Sequence, residues 1–103
     1  MLHALPILDK GPSLADLQST ARILVQSWYD AMGGKPRPYY SQRVLSWLQE
    51  GFDPEVILAA MQATFEAPDP SWRYLEAIMR RCATEGCYQP MQWINRRPPR
   101  TAL

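Results

Sequence analysis

The chain of 103 residues carries a formal net charge of +1, and 47% of its residues are hydrophobic, four of them tryptophan. That length builds one domain around one core rather than two, and the apolar content excludes disorder through the middle of the chain. No apolar run approaches the roughly 18 residues that span a bilayer, and no basic segment leads into a long apolar stretch as in a secretory signal. A cytoplasmic protein is therefore expected, with no membrane partner.

Residues 1–12 end in Lys10-Gly11-Pro12 and read as a lead-in segment. Ser13 then caps a first helix, with Asp16 three residues on as a capping-box partner. At 100° per residue, Leu14, Leu17, Ala21, Leu24, Val25, Trp28 and Met32 fall within about 100° of arc, which predicts one buried face. Gly33-Gly34 ends this helix, and Lys35-Pro36-Arg37-Pro38 is a stiff loop. A second helix is expected from about Tyr39 to Glu50, with Tyr40, Val44, Leu45, Trp47 and Leu48 inward and Gly51 at its C-cap.

The third helix opens on Asp53 as N-cap with Pro54 in the first turn and Glu55 at the positive end of the dipole. Val56, Ile57, Leu58, Ala60, Met61 and Phe65 surround it almost completely, so it belongs in the middle of a bundle. Pro68-Asp69-Pro70 breaks the chain, and Asp69 or Ser71 caps a fourth helix. Its inward arc is read as Trp72, Tyr74, Leu75, Ile78, Met79 and Cys82, ending at Gly86. After Pro90, Met91 to Ile94 read as one more turn, followed by a mobile basic tail. The expected fold class is all-α, a compact bundle of four to five helices with a flexible basic C-terminal tail. The expected boundaries are 1–12 lead-in, 13–89 helical domain and 90–103 tail.

Charge is distributed unevenly along the chain. From Pro70 onward, six arginines (Arg73, Arg80, Arg81, Arg96, Arg97 and Arg100) face only Glu76 and Glu85, a balance of +4, whereas the first 69 residues carry −3. Arginine favours bidentate contacts with phosphate or carboxylate. On the fourth helix Arg73 and Arg80 project away from the apolar arc, with Arg81 at its border, and Glu76 lies four residues before Arg80 as a favourable ion pair. Two readings stand side by side. One is a solvated helix face with an arginine-rich tail; the other is a strip that neutralises phosphates with little regard to sequence. In the second, Trp93 or Tyr88 would stack on unpaired bases.

Catalysis is not expected. The single histidine, His3, lies in the lead-in, so a general base would have to be a carboxylate. Gly33-Gly34-Lys35 lacks the strand and spacing of a phosphate loop. Cys82 and Cys87, five apart, are neither a redox pair nor half of a zinc site. They read as one buried thiol and one loop thiol, with no metal and no cofactor.

Three segments carry a resemblance. Trp47-Leu48-Gln49-Glu50-Gly51-Phe52 precedes an acidic helix start, Ile57 to Ala63 forms an alanine-rich third helix, and Tyr74, Ile78 and Gly86 keep a Tyr-x-x-x-Ile spacing before a glycine. Over roughly residues 20–90 the chain resembles the DnaD-like domain of replication initiation. Cys82 stands where the family's motif has tryptophan, and Gln89 where a threonine is usual. The family's winged-helix domain has no counterpart in these residues, which fits a stand-alone or phage-derived version of the module.

The resemblance implies DNA binding without strong sequence preference, self-association, and support of the replicative helicase or other primosome proteins. It makes Trp47, Gly51, Tyr74, Ile78, Cys82 and Gly86 mainly structural. The alternative expectation is a helical adaptor, or a phage-encoded interaction module, that acts on a host replication or defence protein without touching DNA. Its interface would include Ile23, Tyr29 and Tyr39, aromatic and aliphatic groups off the apolar arcs.

Overall fold

A computed structural model describes residues 13–96, with side chains through Trp93. Five helices follow in chain order: α1 (Leu14–Met32), α2 (Pro38–Gln49), α3 (Pro54–Phe65), α4 (Trp72–Glu85) and α5 (Pro90–Arg96). No strand occurs among the described residues.

The helix ends obey local chemistry. The Asp16 backbone N–H donates to Ser13 Oγ at 3.2 Å, and the Ser13 N–H donates back to the Asp16 carboxylate at 3.3 Å, closing a capping box. Asp53 accepts from the Glu55 N–H at 2.8 Å to start α3. Ser71, not Asp69, caps α4 by accepting from the Tyr74 N–H at 3.1 Å. Gly86 closes α4 at φ 73°, ψ 28°, a left-handed conformation that side chains with a Cβ resist. At the end of α2 the C-cap is Glu50, still in the right-handed helical region; Gly51 follows it at φ 106° and makes the turn.

Helix α3 is the axis of the fold. Val56, Ile57, Ala60 and Met61 are completely buried, and each of the other four helices packs against it. Its buried Thr64 hydroxyl donates to the Ala60 carbonyl at 2.9 Å, so the polar group is satisfied within the helix. Helices α1 and α2 form a hairpin across the loop at residues 33–37. Helix α4 joins α2 chiefly through long side chains. Trp72 lies with its ring centroid 3.9 Å from that of Tyr40 and 5.8 Å from that of Trp47, nearly parallel to both, while Trp28 meets it edge-on at 5.0 Å. A second tie holds the far end: Phe52 packs on Tyr88 at 4.4 Å, and the Asp53 N–H donates to the Tyr88 carbonyl at 2.9 Å.

Several expectations are corrected. Leu14 and Met32, assigned to the buried arc of α1, are exposed because they sit at the two ends of a helix longer than its neighbours. Tyr74, assigned inward on α4, is 44% exposed. Cys87 is buried along with Cys82, since the chain folds back after Gly86 and the Cys87 N–H donates to the Cys82 carbonyl at 2.8 Å. The single turn expected at Met91 to Ile94 is a longer helix, α5, which takes in residues 90–96 assigned to the 90–103 tail and packs on α3. The lead-in at 1–12 and the residues after 96 lie outside the described residues.

Candidate nucleic-acid interface

The side of α4 away from the core carries Arg73, Tyr74, Ala77, Arg80, Arg81 and Thr84, all exposed. The buried set, Trp72, Leu75, Met79 and Cys82, spans an arc of about 80° at helical spacing, and these six side chains fill the opposite half. Tyr74 falls about 120° from the middle of that buried arc, which is why it reaches solvent and lies beside Arg81, two turns further along. The strip is therefore three guanidinium groups with a phenol ring among them. Arg81 pairs loosely with Glu85 at 3.9 Å, both well exposed, a contact worth little in water.

Glu76 explains why Arg80 stays unpaired. The expected pair between Glu76 and Arg80 does not form. Instead Glu76 Oε2 accepts from the Tyr39 hydroxyl at 2.6 Å and from Trp72 Nε1 at 2.7 Å, and it lies 3.4 Å from Arg43 Nε. Arg43 in turn sits over the Trp47 ring at 5.0 Å from its centroid. Burial alone would raise the Glu76 carboxyl, but the Tyr39 and Trp72 hydrogen bonds and the Arg43 charge together hold it below the ordinary glutamate value. The same carboxylate pushes the Tyr39 phenol above its ordinary value, chiefly through the hydrogen bond between them. With Glu76 engaged towards α2, neither Arg73 nor Arg80 has an acidic partner within 4 Å among the described residues.

The remaining site residues divide. Trp93 and Tyr88 are half-buried and pack against the core, so neither is the open stacking platform expected. Tyr29, expected at a protein interface, is half-buried too. It stacks on Tyr40, and its hydroxyl accepts a hydrogen bond from the Arg37 N–H. Tyr39 is 51% exposed but its hydroxyl is held by Glu76, while Ile23 is 67% exposed. Arg96 closes α5; its side chain, with Arg97 and Arg100, lies outside the described residues.

Of the motif positions, Trp47 and Cys82 are core, Ile78 packs at its edge, Gly51 and Gly86 take positive φ, and Tyr74 is the one whose side chain faces solvent. Sequence reasoning missed Arg43 and the inward role of Glu76. Their 33-residue separation left no local signal.

These features define a small all-α module with one arginine-bearing helix face. Residues 25–97 match the DnaB_2 family model, described as replication initiation and membrane attachment, and the chain belongs to this DnaD-like family. No curated protein and no solved structure gives a significant match. Among the described residues, no helix is long and apolar enough to cross a membrane.

Proposed function

We propose that the exposed face of α4 binds DNA with little sequence preference, and that the domain serves as a non-catalytic accessory of primosome assembly that supports helicase loading. One observation carries this reading. Arg73 and Arg80 stand in solvent without an acidic partner among the described residues, and Glu76, the carboxylate on their own helix at pairing distance in sequence, is tied to α2. Guanidinium groups so placed displace condensed counterions when they meet phosphates. Tyr74, beside Arg81 at the edge of this strip, adds a ring face on which an unpaired base can stack. Membership of a replication-initiation family supports the same direction.

The adaptor alternative is the weaker reading. Of its three interface residues, Tyr29 is packed inward and the exposed Tyr39 has its hydroxyl held by Glu76, leaving Ile23 as the one both exposed and unengaged through its side chain.

Fluorescence anisotropy tests the proposal, with a labelled oligothymidylate and a labelled duplex titrated at several salt concentrations. Each phosphate contact contributes a slope of about −0.7 on single strands or −0.9 on duplex in log K against log salt. Replacing Arg73, Arg80 and Arg81 with alanine together should weaken binding and flatten that slope. Unchanged affinity at every salt concentration would reject the assignment.

A further inference from the structure

Helices α1 and α2 enclose a second feature that shares no residue with the α4 face. A groove of about 290 Å³ runs between them, lined by Gln18, Ala21 and Arg22 of α1 and by Ser41, Gln42 and Leu45 of α2. Its size lies at the lower edge of ligand sites, enough for one or two side chains rather than a large molecule. Buried Ala21 and half-buried Leu45 supply an apolar floor. The walls are polar, and they are unengaged: the side chains of Gln18, Arg22, Ser41 and Gln42 make no hydrogen bond or ion pair to any described residue.

We infer that this groove docks a short acidic and aliphatic peptide segment of a partner protein. A carboxylate of that segment meets the Arg22 guanidinium, for which a bidentate pairing is the natural geometry. The Gln18 and Gln42 amides and the Ser41 hydroxyl offer further donors to the carboxylate and to the peptide backbone. A neighbouring aliphatic side chain covers Ala21 and Leu45. Charge complementarity selects this occupant. Nucleic acid is the poorer fit, because the groove holds one cation and no aromatic ring, against three cations and a tyrosine on α4.

The test is a titration of the isotope-labelled protein, followed by amide chemical shifts. The probe is an N-acetylated, C-amidated hexapeptide of alternating glutamate and leucine. Saturable shifts confined to Gln18, Arg22, Ser41, Gln42 and their neighbours are expected. Arg22→Ala should weaken binding about tenfold or more, the scale of a charge-assisted pair, and Arg22→Lys should weaken it less. Arg80→Ala should leave it unchanged.

Four results would overturn the inference. The first is equal binding of the matched glutamine and leucine peptide; the second is peptide shifts confined to α4. The third is groove shifts caused by an oligothymidylate at lower concentration than the peptide. The last is the same shifts on changing protein concentration alone, which would make the occupant a second copy of this chain.

Discussion

Trp72 and Tyr40 stack with their ring planes 11° apart, and this contact, reinforced by Trp47 and Trp28, fastens α4 to α2. The same Trp72 donates its indole N–H to Glu76 on its own helix. One side chain thus fills the seam between two helices and orients the carboxylate that would otherwise neutralise the basic face.

Trp72→Ala should therefore be among the costlier single changes, about 3–5 kcal/mol, since it opens a cavity and removes a donor to Glu76. Urea unfolding followed by tryptophan fluorescence or circular dichroism measures it. A loss under about 1 kcal/mol would mean that the stack is not what joins α4 to α2.

The Glu76 cluster gives a pH-dependent prediction. Its carboxyl titrates lower in the folded chain than its ordinary 4.5, so the stabilisation is complete above that value and is lost as pH falls through the lowered folded value. Glu76→Gln should cost about 1 kcal/mol at pH 7, and the gap from the unmodified protein should narrow as pH falls to about 3.5. Stability curves of both proteins at the two pH values decide it; a gap independent of pH would contradict the charged role. Tyr39 works in the other direction. Its phenol titrates above its ordinary 10.0, so its contribution persists below pH 10 and disappears as pH rises through the raised folded value.

Tyr74 separates stacking from charge. Because the ring is exposed, Tyr74→Ala should change stability by no more than about 0.5 kcal/mol. It should nevertheless weaken single-stranded DNA binding by about 1–3 kcal/mol. Tyr74→Phe keeps the ring and should bind like the unmodified protein, and duplex affinity should be little affected by either change. Anisotropy titrations of the two variants on both oligonucleotides supply the comparison.

Gly86 isolates a backbone effect. A Cβ built there meets no atom within 4 Å, yet φ is 73°, so Gly86→Ala should cost about 1–2 kcal/mol purely through the left-handed conformation. Gly86→Asn should cost less, because asparagine tolerates that region better. A thermal melt of each variant is sufficient, and equal losses for the two would argue against a conformational origin.

The helices were legible because proline, glycine and capping side chains mark their ends and because apolar spacing marks α3 as central. The site was legible only in outline. Arg73, Arg80 and Arg81 lie where a helical wheel puts them, but Tyr74 was assigned inward although its angle, about 120° from the middle of the buried arc, already sets it outside that arc. Tyr29 was misplaced for a tertiary reason: the loop at residues 33–37 brings α2 over it. For Glu76 the nearby Arg80 offered an exposed helical pair worth about 0.3–0.5 kcal/mol. Three donors, two of them on α2, outweigh that, and nothing in a local window announces them.

The electrostatic character of α4 is thus a tertiary property. In an excised peptide covering residues 71–86, Glu76 would have no tyrosine or arginine of α2 to hold it and would swing back towards Arg80, quieting the positive field. The proposed attraction for a polyanion is consequently coupled to correct assembly of the whole domain, and a partly unfolded chain, though identical in formal charge, presents a blander surface.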